Sequence, residues 1–429
     1  MKMKVVIVIS LVSILALSLA GIAVAQEQGT TVATGLNGPQ GILVAPDGSI
    51  WVADGGMGGE EQIGTIGAPG EESPIMFGQT ARVVQIAPDG TQTVAATLPS
   101  IAFGQEIAGA GRLALLDGTL YVTNSFWIDA AGMESRPLAA VVATVAGGQA
   151  TEVADTWAFE VANNPDPHVL DSHPYDVEAG PDGMLWVTEA GGNALLKVDP
   201  SSGDIQLVTV FAGLPSPVAN PNRGGAQESD PVPTGIAFDA SGNAYVSFLP
   251  GFPFLPGTAK VVQVGSDGTV SDYATGLTML TDLQTGPDGM LYAVSIGQFT
   301  EQGPVPNTGA VLRIKAGEAS EALVDGLSFP TSIDFDDAGD AYVTLNGIGA
   351  PGSGQVARFD GLTAMAGSSL EAATVASETA AQPQALPETG AMPLHAGWLA
   401  VVLGTGLVMA AILLGARQRS DSTSSGRES

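Results

Sequence analysis

Hydrophobic and polar residues alternate along most of the chain, and one short sequence motif occurs six times within that pattern. Each copy has a turn that contains glycine, then an aromatic residue, then alternating apolar positions. The aromatic residues of the six copies are Trp51, Tyr121, Trp186, Tyr245, Tyr292 and Tyr342. An alternation of period two predicts β-strands, and repeated units that bury their faces by stacking are typical of propellers and solenoids. The sequence therefore predicts an all-β fold, a six-bladed β-propeller.

The two ends of the predicted propeller complement each other. Each blade should hold four antiparallel strands, but the last repeat has only three, because after Leu362 the sequence is rich in Ala, Ser, Thr and Glu. The segment 31–36 resembles the outer strands that end other repeats, such as 273–277. We expect this N-terminal strand to complete the last blade and close the ring, which removes open sheet edges. The propeller would span residues 30–362, with insertions at about 55–79 and 126–137.

Two apolar segments flank the repeats. Residues 1–25 carry Lys2 and Lys4 before an apolar run and end in small residues, which predicts a secretory signal peptide. Residues 396–416 are uncharged and long enough to cross a bilayer as a helix. Arg417 and Arg419 follow at once, and this placement of positive charge predicts a propeller outside the membrane.

A processing signal is predicted between the propeller and the apolar span. Residues 363–385 have the composition of a flexible stalk. The pentapeptide Leu386, Pro387, Glu388, Thr389 and Gly390 follows, and residues 386–429 together resemble the cell-wall sorting signals of sortase substrates. The resemblance implies cleavage between Thr389 and Gly390 and attachment to cell-wall peptidoglycan. Without a sortase, the span would remain as a membrane anchor, so either alternative predicts an extracellular, surface-anchored protein.

Charge and cysteine content narrow the choice of partners. The chain has 44 acidic and 14 basic residues, a formal net charge of -30, and no cysteine. Such an acidic surface repels nucleic acid and anionic lipid. Its simplest role is solubility outside the cell, and a diffuse affinity for divalent cations is the alternative. Without disulfides, stability must come from packing.

The repeat also locates the mouth of the channel, where propeller ligands commonly bind. The starts of innermost strands are Gln40, Arg112, Asp176, Thr234, Asp282 and Ser332, and the ends of second strands are Asp54, Asn124, Glu189, Ser247, Ser295 and Asn346. Five of them are oxygen donors that would suit Ca²⁺ or another divalent metal: Asp54, Asn124, Asp176, Glu189 and Asp282. The alternative is a water-filled channel with ordinary strand-end caps.

His173 is the candidate catalytic residue. It stands just before Asp176, so it could face the mouth and pair with Asp176 or Glu189 as a general base. A structural or solvated histidine is the alternative. Several sequence patterns of other enzyme classes are absent, among them the Gly-x-Ser-x-Gly elbow, the phosphate loop and a cysteine nucleophile.

One predicted loop is unusually apolar. Phe248, Phe252 and Phe254 lie in a proline-rich connection of the fourth repeat. An exposed aromatic cluster usually marks a contact surface, here for a small molecule, a polysaccharide or a protein. Alternatively, the loop folds over the channel mouth as a lid.

These segments together resemble the ScyD/ScyE family of exported β-propellers, which has no settled general activity. The resemblance covers roughly residues 31–362 and rests on these stretches: 35–42, 171–176, 191–199, 232–236, 251–254 and 327–331. It implies a propeller of the NHL/SMP-30 type outside the cell. It supplies no catalytic residue.

More distant resemblances keep an enzymatic alternative open. Gluconolactonase-like propellers bind a divalent metal at the mouth through Glu, Asn and Asp, although here Gln40 stands where an acidic ligand would be wanted. Streptogramin lyase-like propellers contain sequence stretches similar to residues 181–189, but their paired catalytic histidines have no counterpart in this sequence. The first hypothesis is thus a surface-displayed binding or interaction module. The alternative is a metal-dependent, lactonase-like hydrolase or a lyase.

Overall fold

The computed structural model describes residues 29–67, 72–104, 106–300, 303–317 and 320–365. The predicted signal peptide, the sorting motif and the apolar span lie outside these residues, as does the stalk except for 363–365, which end the short helix Leu362–Met365. No helix among the described residues is long and apolar enough to cross a membrane. The described chain is an all-β protein.

Antiparallel sheets follow one another along the described part of the chain, and we number the six main ones I to VI. Sheets I to III contain the following strands, from the innermost outwards: I, Pro39–Val44, Ile50–Asp54, Ser73–Ile86 and Gln92–Phe103, with Glu61–Ile66 and Glu106–Ala108 attached; II, Ala110–Leu116, Thr119–Asn124, Val141–Ala146 and Gln149–Asp155; III, Pro174–Ala179, Leu185–Glu189, Ala194–Val198 and Ile205–Val210.

Sheets IV to VI repeat the four-stranded arrangement. Their strands are: IV, Pro233–Phe238, Ala244–Phe248, Ala259–Val264 and Val270–Leu277; V, Leu280–Thr285, Leu291–Ser295, Gly309–Ile314 and Glu321–Leu327; VI, Ile333–Phe335, Ala341–Leu345, Gly354–Phe359 and Thr30–Leu36. Three strand pairs are shorter: Trp127–Ile128 with Asp171–Ser172, Leu214–Asn220 with Ala226–Ser229, and Phe299–Thr300 with Gly303–Pro304. The helical segments are Asp129–Ala131, Thr156–Asn163, Pro221–Arg223 and Leu362–Met365.

The repeated motif forms a tight turn that is stabilised by hydrogen bonds from its own residues. In sheet V, Asp288 accepts a hydrogen bond from the backbone N–H of Met290 at 3.1 Å and another from the Tyr292 hydroxyl at 2.8 Å. Gly289 between them has a φ of 75°, which a glycine adopts without strain. In sheet III, Asp182 binds the indole N–H of Trp186 at 3.1 Å in the same way. These two Asp-Gly pairs therefore form turns.

The N-terminal strand Thr30–Leu36 pairs antiparallel with Gly354–Phe359, the pairing that the sequence predicted. Leu36 and Ala33 are buried and pack against Val356 of the partner strand. Sheets I and VI are also joined directly, because the Val44 amide donates to the Asp334 carboxylate at 2.6 Å. The innermost strands contact one another in the order I, II, III, IV, V, VI, and that of VI also contacts that of I.

The two predicted insertions build a second apolar layer, which we call the cap cluster: Ile66, Ile75, Phe77, Ile101, Phe103, Ala108, Phe126, Trp127, Ile128, Ala139, Ala140 and Trp157. The strands Ser73–Ile86 and Gln92–Phe103 continue past the rest of sheet I to reach it. The indole N–H groups of Trp127 and Trp157 both donate to backbone carbonyls of the second insertion, at 2.7 and 2.9 Å. The described parts of both insertions are thus folded structure.

Candidate functional site

A cavity of about 50 Å³ lies where the innermost strands begin. One part of its lining is polar: Gln40, Arg112, His173, Tyr175, Thr281 and Thr331. The other part is apolar: Ile107, Ala108, Leu249, Ile296 and Ile348. Since a water site needs roughly 10–15 Å³, the space can hold several waters or part of a small molecule.

Arg112 forms the floor of this cavity. Its guanidinium is only 3% exposed. Nη2 donates to the carbonyls of Thr281 and Thr331 at 2.6 and 2.8 Å, and Nη1 donates to the carbonyl of Gln40. The side chain of sheet II therefore binds the backbone of sheets I, V and VI, and its Nη protons are used by the protein itself.

Two of the predicted metal ligands lie close to Arg112 but bind backbone amides of the next sheet. Asp282 lies with one carboxylate oxygen 3.8 Å from Arg112 Nε, while its other oxygen accepts from the Ile333 amide at 2.9 Å. Asp176 accepts from the Ile236 amide at 2.9 Å, and burial together with the charge of Asp282 raises its pKa. Both carboxylates thus join neighbouring sheets.

The other three predicted ligands are held elsewhere. Asp54 pairs with Arg82, Asn124 donates to the Leu138 carbonyl at 2.6 Å, and Glu189 accepts from backbone amides on both sides of its carboxylate. None of the five lines the cavity. Within the described ranges, no three His, Asp or Glu side chains are grouped so that they could hold a metal ion.

His173 lies on the cavity wall between two aromatic rings. Its ring is stacked on Phe126 of the cap cluster at 5.9 Å and tilted against Tyr175 at 5.9 Å. Burial and the positive charge of Arg112 lower its pKa to about 3, so the imidazole is neutral near pH 7. Its contact with Glu189 runs through the backbone amide, and its ring nitrogens make no hydrogen bond to any described residue. The neutral ring therefore offers one donor and one acceptor to the cavity.

A layer of buried acids lies behind His173. Burial and the charges of Glu189 and Asp171 raise the pKa of Glu160 to about 9. Burial raises the pKa of Glu189 to about 7 and places that of Asp171 well above its usual range. None of the three lines the cavity.

The aromatic loop is only partly exposed, so its three rings do not form one exposed cluster. Phe248 is 1% exposed because it ends a strand with its side chain turned inward, where it packs on Phe211 at 5.0 Å. Phe252 is 44% exposed, and Phe254 packs against Phe299 at 5.4 Å. The residue of this loop that lines the cavity is Leu249, which follows Phe248.

Sequence reasoning missed three residues that pack against the apolar lining of the cavity. Val232, Met279 and Phe329 have φ values of 49°, 46° and 45°, a left-handed conformation that is strained for large side chains. They pack in one apolar cluster with Leu249 and Ile296. Each stands two residues before a threonine at the start of an innermost strand, and this repeated position is the signal in the sequence that could have identified them.

Comparisons with known proteins add little to this picture. No protein-family model and no curated protein match the chain. Among solved structures, it is similar to a virginiamycin B lyase from Staphylococcus aureus, with 15% identity, 76% of this chain and 97% of that chain covered, and a TM-score of 0.41. It is also similar to an aldose sugar dehydrogenase from Streptomyces coelicolor, with 14% identity, 77% of this chain and 96% of that chain covered, and a TM-score of 0.44. A gluconolactonase from Xanthomonas campestris is similar as well, with 14% identity, 78% of this chain and 99% of that chain covered, and a TM-score of 0.41. These likenesses are too distant to indicate what this chain binds.

Proposed function

We propose that the chain is a six-bladed β-propeller that binds a small molecule at the mouth of its channel. The cyclic order of contacts between innermost strands supports six blades, and the pairing of Thr30–Leu36 with Gly354–Phe359 supports a closed ring. In such a ring the cavity lies at one end of the central channel.

One observation carries the binding function: the cavity is lined by a histidine ring whose nitrogens have no hydrogen-bond partner among the described residues, beside the Tyr175 hydroxyl and an apolar wall. Ala108 of the cap cluster and the residues Leu249, Ile296 and Ile348 of a second apolar cluster line it, while the ring nitrogens of His173 make no hydrogen bond to a described residue. Pockets of this composition, mostly apolar with a few converging polar groups, are typical of ligand sites.

The geometry favours binding over metal-dependent hydrolysis or elimination. The five predicted ligands bind backbone or other side chains of the protein, and His173 with a pKa of about 3 is a weak base near pH 7. We therefore keep the lactonase-like or lyase activity as the alternative.

The test of the binding function is a fragment screen by saturation-transfer NMR on the full chain. Ile348→Trp places an indole in the cavity lining, and Val270→Trp, on the outer strand of sheet IV, is the matched control because Val270 is 38% exposed. Fragments should bind the wild type and the control but not Ile348→Trp. Fragments that bind all three chains equally, or none that bind, would contradict the proposal.

We also propose that the propeller is displayed on the cell surface, as a member of the ScyD/ScyE family, after sortase processing. This rests on the sequence of the two termini and on residues 386–390. Incubation of the full chain with a purified sortase and triglycine should give a product joined at Thr389, seen by mass spectrometry. Pro387→Ala should stay intact, and an intact wild-type chain would contradict this part.

A further inference from the structure

The chemistry of the cavity wall distinguishes between classes of ligand. An anion would seek guanidinium protons, but the Nη groups of Arg112 already donate to Gln40, Thr281 and Thr331. A carboxylate of the protein also lies 3.8 Å from Nε. A new anion at the Nη groups would therefore have to break bonds that hold the sheets together. Nε has no hydrogen-bond partner among the described residues, but an anion there would be repelled by the Asp282 carboxylate, and it would approach a chain of net charge -30.

A cation is disfavoured for a different reason. No Asp or Glu is among the lining residues, and Arg112 puts a buried positive charge at the floor. Burying a second, unpaired positive charge beside it is costly. Since both anions and cations are disfavoured, the ligand class that fits the cavity is uncharged.

Two neighbouring uncharged side chains, those of Tyr175 and His173, can form hydrogen bonds with a ligand. The Tyr175 hydroxyl accepts weakly from Arg112 Nη2 at 3.4 Å, and it donates to none of the described residues. The His173 ring lies beside it, with 5.9 Å between the two ring centres, and its two nitrogens can serve as hydrogen-bond donor and acceptor. A hydroxyl or amide, which both donates and accepts, can satisfy the two side chains at once.

The remaining wall limits the size and polarity of the rest of the ligand. Ile107, Leu249, Ile296 and Ile348 offer apolar side chains. The volume of about 50 Å³ corresponds to roughly three to five water sites, the bulk of a small ring.

We propose that the ligand group held in this cavity is uncharged and compact, with a hydroxyl or amide bound by His173 and Tyr175 and an apolar body against the isoleucine and leucine wall. The inference rests on the proposed function, because it assumes that the cavity binds small molecules.

Three probes that share a cyclopentyl ring and differ only in the polar group test the inference on the full chain: cyclopentanol, cyclopentanecarboxylate and cyclopentylammonium. Cyclopentanol should bind at least about fivefold more tightly than either ion, since one hydrogen bond is worth about 1 kcal/mol. His173→Phe and Tyr175→Phe should each weaken cyclopentanol binding by a similar factor. Tyr245→Phe is the control, because its hydroxyl binds Asp239 in an outer turn. Equal thermal midpoints of the variants would show that they are folded.

The outcomes separate this inference from the proposed function. If the carboxylate or the ammonium binds as tightly as cyclopentanol, and Ile348→Trp abolishes that binding, the cavity is a binding site but the ligand class is wrong. If cyclopentanol binds unchanged to both His173→Phe and Tyr175→Phe, the assigned contacts are wrong. If no probe binds while other fragments do, the inference fails and the binding function stands.

Discussion

Replacing Arg112 by methionine removes a charge that joins the backbone of three sheets while keeping most of the side-chain volume. The wild-type guanidinium donates to the carbonyls of Gln40, Thr281 and Thr331 and lies 3.8 Å from the carboxylate of Asp282. In the variant these acceptors lose their donors in a buried place, and Asp282 loses its counter-charge.

The expected loss follows from the burial of both partners, whose side chains are 3% and 7% exposed. Breaking a buried ion pair by removing one partner costs about 3–5 kcal/mol. Each kcal/mol lowers the thermal midpoint by about 2–4 °C in domains of 150–250 residues, so we expect a fall of roughly 6–20 °C.

Thermal and urea unfolding of the full-length chains measure this loss. Arg136→Met is the matched control, because its ion pair with Glu61 is 44% and 53% exposed and should be worth about 1 kcal/mol or less. Adding Asp282→Asn to Arg112→Met should restore part of the lost stability, since the unpaired charge disappears. A loss below about 1 kcal/mol in Arg112→Met, or a double variant less stable than the single one, would refute the reasoning.

Three further predictions concern stability. The folded-state pKa of Glu160 is raised from 4.5 to about 9, so its stabilising contribution is complete below pH 4.5 and is lost as the pH rises through 9. Glu160→Gln should therefore raise the thermal midpoint at pH 8 relative to wild type while changing it little at pH 4, and an unchanged midpoint at pH 8 would contradict this. Phe248→Ala should cost about 3–5 kcal/mol and Phe252→Ala less than about 1 kcal/mol, because the side chains are 1% and 44% exposed; equal losses in urea unfolding would contradict the assignment of the loop. Leu36→Ala should cost about 2–5 kcal/mol if the N-terminal strand is part of the core, and a loss near zero would show that the strand is dispensable.

The sequence predicts the sheets well because their determinants are local. A turn carboxylate such as Asp288 binds an N–H two residues later and the aromatic hydroxyl four residues later. All the hydrogen bonds of the turn therefore lie within one copy of the motif. The N-terminal strand could be placed for a related reason, since its pattern matches the outer strands of other repeats and the last repeat lacks one.

The site is less predictable because its residues meet only through the tertiary structure. The sequence places Asp176 and Asp282 near the channel, but not the amides of Ile236 and Ile333 that occupy their carboxylates. It places Arg112 at the start of an innermost strand without showing that its protons are used by carbonyls far away in the chain. Residue type and position can thus be read locally, whereas the availability of a side chain for a ligand cannot.

The pairing of Thr30 with Arg358 has a consequence for how the protein comes to be folded. The first strand of the described chain cannot find its partner until nearly all the sheets have been synthesised. Folding that depends on such distant contacts is slow, because a long loop must be closed before the contact stabilises the structure. If the chain is exported, this late contact would help to keep it unfolded until it has crossed the membrane, and the last sheet would then be completed outside the cell.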